Sequence, residues 1–389
     1  MPEAAQAVQE PPQSRSPLRR GFTISCVTLG ALAALFEILP RCIEIPGLRS
    51  RELDPLAFQL QQARVGPHPY LAYSNKASYD LKSDKETIHH NALGFRGPET
   101  TWAKPAGTFR IFCIGGSSTY GIGPSSNETN WPERLQAHLN ERGLGKKVEV
   151  INGGCQGYSS FEMAIQLATR GVSFQPDLVL TYETINDVRC ALYPGVVPDN
   201  THWRANWPVA RKSELEGLLE HSLTFLAWRR YCTDWWENSK NLGSWVIVDF
   251  GKWTSTTGDD YAQPTDAELG FLNTRRNLVT ILATARAHGA EVMFVTQGTR
   301  MSDFDRAAKS AQAQKDAFER VYRLIGEVAN ERGVPYCDAR VVLEAEAARQ
   351  SAANGKDQVF TNEVHMTDAG CELLARTIAE RIVELGLVK

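Results

Sequence analysis

Five short apolar runs, RIFCIGG (110–116), VEVING (148–153), DLVLTYE (177–183), EVMFVTQ (291–297) and PYCDA (335–339), recur along the chain with helix-patterned stretches between them. That alternation predicts an α/β fold built on a doubly wound parallel sheet. Helices are expected over 130–142, 161–170, 274–288, 310–332 and 367–385. The last has Thr367 as its N-cap and Asp368 in its first turn, where a carboxylate suits the helix dipole. At 389 residues, with 42% apolar and 22% charged, the chain has material for a sizeable core and is not disordered for most of its length.

Ligand sites in open α/β sheets gather at the carboxyl ends of strands. Ser117 in IFCIGGSSTYG follows the first strand, Gly157 in INGGCQGYSS the second and Asn186 in TYETINDV the third, while His365 in FTNEVHMTDAG precedes the last helix. These types suit ester chemistry. A serine hydroxyl loses its proton to an imidazole, and the oxyanion that forms is met by preplaced donors. The backbone N–H groups of Ser117 and Gly157, with the Asn186 amide, are the donors expected, since glycine has no side chain to block approach. GGSSTYG lacks the Gly-Lys-Ser/Thr of a phosphate loop and the Gly-x-Gly-x-x-Gly of a dinucleotide turn. Cys155, in the same loop as Gly157, is the rival nucleophile, and nothing around it in sequence points to a depressed thiol pKa.

In this order the four blocks resemble the SGNH (GDSL-type) hydrolase superfamily, and the likeness runs from Arg110 to about Gly386. The resemblance implies a three-layer α/β/α, flavodoxin-like fold, with Ser117 as nucleophile, His365 as base, and Ser117, Gly157 and Asn186 around the oxyanion. It implies no metal and no organic cofactor. HHNALGFRGPE (His89–Glu99) is similar to what precedes the core in membrane-anchored branches, in which the acidic neighbour of the serine is often lost. Here Gly115-Gly116-Ser117 stands where the pattern has Gly-Asp-Ser, Thr184 stands in the glycine position of Gly-x-Asn-Asp, and Asn362 stands in the acid position of Asp-x-x-His. An asparagine there favours the wrong histidine tautomer and costs up to about 10⁴ in turnover. Glu363, Asp357, Asp368 or a backbone carbonyl are the other groups available to orient His365. Asp187 is read as a loop-fixing hydrogen-bond acceptor.

Outside the core, residues 1–20 read as a disordered tail, and GFTISCVTLGALAALFEIL as an apolar helix over 21–40. Its roughly 28 Å suffices for a transmembrane anchor, and a cleaved signal peptide is the nearer competitor. Glu37 lies near the far end of this run, where a carboxylate would reach the interface. The expected topology is a single pass with the catalytic body facing the periplasm or exterior. Residues 41–105 read as an extended arm and 106–389 as the hydrolase-like domain. In that domain an insertion at about 189–270 holds Trp203, Trp207, Trp228, Trp235, Trp236, Trp245 and Trp253. These tryptophans either pack a small core of their own or wall a sugar site. His89 and His90, adjacent in sequence, are read as surface or packing residues. Cys190 and Cys232 are the pair to test for a disulfide in an exported protein. A net charge of −3 excludes an electrostatic case for nucleic acid. The function expected is an esterase removing O-acyl groups, O-acetyl first, from an acylated glycan or lipid of the cell envelope. The alternatives are an O-acyltransferase sharing the same acyl-enzyme and a catalytically silent glycan-binding protein.

Overall fold

The structure, a computed structural model, describes residues 17–42, 64–193, 195–200, 218–219, 221–232, 264–306 and 311–388. The chain divides into a smaller unit, Met1–Gln62 with Ala210–Gly243, and a larger one, Ala63–Val209 with Ser244–Lys389.

The larger unit begins with two short antiparallel hairpins, β1 (Val65–His68) with β2 (Ala72–Asn75) and β3 (Asp80–Lys82) with β4 (Thr87–His89). Then come β5 (Thr108–Gly115), α1 (Ser117–Tyr120), α2 (Trp131–Glu141), β6 (Lys147–Asn152), α3 (Ser160–Thr169), β7 (Leu178–Tyr182) and α4 (Ile185–Leu192). The series continues with α5 (Pro264–Ala287), β8 (Glu291–Val295), α6 (Ala311–Arg332), β9 (Tyr336–Cys337), α7 (Ala339–Asn354) and α8 (Asp368–Glu384).

Strands β5 to β9 form one parallel sheet in the order β6-β5-β7-β8-β9. All eight residues of β5 are buried, and their alternation sorts them between two cores. Ile111 and Cys113 join Leu178, Leu180 and Met293 under Trp131, Leu135, Leu343 and Leu374 of α2, α7 and α8. Phe112 and Ile114 join Val179, Val292 and Phe294 under Met163, Val188, Ile281 and Phe318 of α3 to α6. This is the three-layer α/β/α arrangement expected. Because β6 and β7 flank β5 on opposite sides, the winding reverses at the carboxyl end of β5, where such sheets open a crevice.

Local signals agree with this path. Asn130 accepts from Trp131 N and caps α2, and Thr367 accepts from Gly370 N and caps α8. Helix α5 starts ten residues before its expected position, and α7 was not expected at all. The segment read as an extended arm is folded from residue 64 onward. Its Val65, Leu71, Tyr73, Ile88 and Phe95 are buried, and Arg96 donates to Asn127 Oδ1 (2.9 Å), Ser126 O (3.0 Å) and Gly121 O. His90 is buried between Lys76 O and the Tyr120 hydroxyl, each at 2.8 Å, and burial pushes its pKa down to about 4. His89 meets Asp80 Oδ1 at 2.7 Å. Both histidines thus have packing or surface roles.

In the smaller unit the apolar run forms the helix Pro17–Cys42. Among the described residues no helix is long and apolar enough to cross a membrane, which corrects the span expected over 21–40. Ser25 and Thr28 interrupt the apolar run, and Glu37 near its far end is engaged within the protein. Its carboxylate accepts from the Ser222 hydroxyl, Leu223 N (2.9 Å) and Thr224 N (2.8 Å), capping the helix Leu223–Cys232. Burial opposes that charge, yet these hydrogen bonds prevail and hold its pKa down to about 2. Trp228 is exposed on the capped helix. Trp203, Trp207, Trp235, Trp236, Trp245 and Trp253, and the side chain of Cys232, lie outside the described residues, as do residues 1–16 of the tail.

Candidate active site

Strand β5 ends at Gly115, and Ser117 opens the single turn α1. The serine is 6% exposed, and its Oγ lies 2.8 Å from His365 Nε2. His365 comes from the loop before α8, 248 residues away in sequence. That loop is held by Thr361, whose N–H and hydroxyl both donate to His365 O at 2.8 and 3.0 Å. Gly123 lets it approach, because a Cβ there would stand 2.1 Å from Met366 O and the backbone φ is +112°.

Asn362 Nδ2 meets His365 Nδ1 at 2.9 Å. The amide orientation follows from its other end, where Oδ1 accepts from His365 N (3.0 Å) and Val364 N (3.2 Å). An amide N–H pointing at Nδ1 makes that nitrogen the acceptor, so the ring proton sits on Nε2, facing Ser117. The group in the acid position therefore orients the imidazole but favours the tautomer that donates to the serine. Burial, with the positive charge of Arg189, pushes the His365 pKa down to about 4, so the ring is neutral at neutral pH. The aspartates that were alternatives are engaged elsewhere. Asp357 holds Arg300 Nη1, Val359 N and Phe360 N at 2.8–2.9 Å, and Asp368 holds Ser125 N and Oγ. Glu363 meets Arg300 N through its backbone carbonyl.

The oxyanion candidates come from the neighbouring strand ends. Gly157 follows β6 in a left-handed conformation, φ +74°, and the next residue, Tyr158, accepts from Asn186 Nδ2 at 2.9 Å. That bond uses one amide hydrogen and fixes the direction of the other. A Cβ on Gly116 would stand 2.7 Å from Asn186 Nδ2 and 2.9 Å from Tyr158 O, so both groups close on the residue preceding Ser117. The hairpin β1–β2 pins the Gly157 loop from outside: Tyr73 OH donates to Gln156 O (2.5 Å), Asn75 Nδ2 to Gly154 O (2.8 Å) and Tyr158 OH to Tyr73 O (2.6 Å). Cys155 is buried in this loop. Asp187 accepts from Ser160 Oγ (2.6 Å) and Ser160 N, which is the loop-fixing role expected of it. Burial pushes its pKa up to about 6 against those bonds.

Two residues of the site carried no motif. Gln297, just past β8, accepts Thr184 N and Ile185 N on Oε1 (3.0 and 2.9 Å) and donates from Nε2 to Ser118 Oγ (2.8 Å). Ser118 Oγ in turn donates to Val364 O at 3.0 Å. One side chain thus joins the serine turn, the start of α4 and, through Ser118, the histidine loop. Thr184 stands at φ −151°, where a glycine is not required. Glu183, at the end of β7, accepts Gly116 N on Oε2 (2.9 Å) and Asn186 N on Oε1 (2.8 Å). Burial pushes its pKa up to about 8. The only sequence signal for either was a polar residue closing an apolar run.

Similar solved structures include a crystal structure of an acetyl xylan esterase, AlAXEase, 14% identical over 70% of this chain and 100% of that one, with a TM-score of 0.43. A lipase/acylhydrolase from Enterococcus faecalis is 14% identical over 71% and 96%, with a TM-score of 0.41. A catalytic mutant of Axe2, an acetylxylan esterase from Geobacillus stearothermophilus, is 14% identical over 70% and 94%, with a TM-score of 0.40. No curated protein matches the chain. The model of the GDSL-like lipase/acylhydrolase family matches residues 113–373, a stretch that holds Ser117, Gly157, Asn186 and His365, and the chain belongs to that family.

Proposed function

We propose that this protein is a serine acylhydrolase that removes short acyl groups, acetyl foremost, from a polar carrier such as a cell-envelope glycan. The observation that carries the reading is the 2.8 Å contact between Ser117 Oγ and His365 Nε2, in a chain of an acylhydrolase family. The reaction runs through the tautomer that carries its proton on Nδ1, reached by exchange with solvent, whose free Nε2 takes the Ser117 proton while Oγ attacks the ester carbonyl. The Ser117 and Gly157 N–H groups and the second Asn186 amide hydrogen receive the oxyanion. The Nε2 proton then passes to the departing alkoxide, and water, deprotonated by the same nitrogen, releases the acid. If a sugar hydroxyl takes the place of water, the same acyl-enzyme gives a transferase. The short acyl group is supported by the buried polar groups around the serine turn, among them Ser118, Glu183, Asn186 and Gln297, which suit a small polar ester better than a long hydrocarbon chain.

A second reading, a glycan-binding protein with a silent site, is favoured by one observation: the Asn362 amide faces Nδ1 and holds the proton on the wrong nitrogen. Fluorophosphonate labelling of the purified protein separates the two. The first reading expects a labelled wild type, an unlabelled Ser117→Ala variant, and acetate released from an acetylated glycan faster than fatty acid from a long-chain aryl ester. An unlabelled wild type that releases no acetate would overturn it in favour of the binding protein.

A further inference from the structure

Gly116 stands where the family resemblance places an acid beside the nucleophile, and the fold leaves no room there for a side chain. A Cβ at 116 would lie 2.1 Å from Glu183 Oε2. That space is filled from the neighbouring strand by the Glu183 carboxyl, which is 5% exposed. Its two oxygens diverge, Oε2 to Gly116 N and Oε1 to Asn186 N. One rigid carboxyl therefore spans the residue before the nucleophile and the residue that carries the oxyanion amide.

We propose that Glu183 is a positioning residue, an acid supplied from β7 in place of the one missing at position 116, which sets the separation between the Ser117 turn and the Asn186 amide. The geometry explains why Gly116 and Glu183 occur together, since neither an acid at both positions nor a small residue at both would fill the space once. Removal from water, with Asp187 nearby, pushes the Glu183 pKa up to about 8. At neutral pH the carboxyl is then mostly uncharged and adds little negative field beside the place where the oxyanion forms. The proposal rests on the acylhydrolase reading for its catalytic consequence and on the two hydrogen bonds alone for its structural one.

The test uses four variants of the full chain: Glu183→Gln, Glu183→Ala, Gly116→Asp and the exchange Gly116→Asp/Glu183→Ala. Glu183→Gln keeps the shape but turns an N–H toward one of the two backbone donors. It should lower kcat about 10²-fold, the cost of a displacement on the order of 1 Å, with KM nearly unchanged and the melting temperature lower by a few degrees, since one buried backbone N–H loses its acceptor. Gly116→Asp alone should be poorly folded or inactive. The exchange should recover at least about tenfold in kcat over Glu183→Ala. Wild-type kcat in Glu183→Gln, or an exchange no better than Glu183→Ala, would overturn the positioning role. An unlabelled wild type would instead sink the acylhydrolase reading, and amide hydrogen exchange then decides. The Gly116 and Asn186 amides should lose protection together in Glu183→Ala, and unchanged protection would refute the span.

Discussion

At the scale of single residues, the proposed chemistry is tested most directly at Asn362, whose amide meets His365 Nδ1. Its Oδ1 is committed to two backbone N–H groups, so the amide cannot turn over to offer oxygen to His365 without facing those donors with its own N–H. An aspartate in its place keeps both backbone contacts and offers its second oxygen to Nδ1–H, leaving a lone pair on Nε2 toward Ser117. Asn362→Asp is therefore expected to raise kcat, with about 10⁴ as the outer bound, and to leave KM nearly unchanged, as steady-state kinetics on a small aryl acetate will report. An unchanged turnover would mean that the imidazole reaches its working tautomer unaided. The quartet and its order were legible in the sequence because each residue lies in a short block next to a strand or helix signal. Glu183 and Gln297 were not, since a polar residue closing an apolar run has no spacing signature, and the partners of Gln297, like the Gly116 N–H that Glu183 meets, are distant in sequence.

At the scale of elements, the segment before the core is the part of the molecule that sequence reading undervalued. Strands of three or four residues with frequent turns give no period to read, yet the segment buries Phe95 and places the Arg96 guanidinium against the turn that follows α1. Arg96→Ala leaves the Gly121 and Ser126 carbonyls and Asn127 Oδ1 without that donor in a buried setting. A loss of about 3 kcal/mol or more is expected, read by urea unfolding, with slower Ser117 labelling because the turn after the serine is released. Stability unchanged within about 0.5 kcal/mol would show that other donors replace it. Helix α7 escaped detection for a different reason. Only Ala339, Leu343 and Ala347 of its 16 residues are buried, a stripe too narrow and too small to stand out from ARVVLEAEAARQSAAN. The strands, by contrast, were legible because burial on both faces writes them as continuous apolar runs.

At the scale of the whole larger unit, its buried titratable groups make stability depend on pH in both directions. His365 and His90 are pushed from 6.5 down to about 4, so the folded state resists a proton that the unfolded chain accepts. Their contribution is complete above about pH 6.5 and is lost as pH falls toward 4. Glu183 is pushed from 4.5 up to about 8, so the folded state keeps a proton that the unfolded chain releases. Its contribution is complete below about pH 4.5 and is lost as pH rises toward 8. Asp187 and Glu133, pushed up to about 6 and about 7, act in the same sense as Glu183, so below pH 6.5 the carboxyls and the histidines oppose one another, and the melting temperature should decline from pH 7 toward pH 8. Glu183→Gln, which has no proton to lose, should flatten that alkaline slope. An alkaline decline of wild-type steepness in that variant would assign the slope to other groups.

The contact between Ser117 and His365 joins the end of the central strand to the residues just ahead of the final helix. For an experimenter this makes the proposed nucleophile a gauge of completeness. A chain that has formed its sheet but not yet docked its last helix has a serine with no imidazole beside it, so under the proposed acylhydrolase reading a titration of Ser117 would count finished molecules, where an absorbance reading counts every polypeptide in the tube.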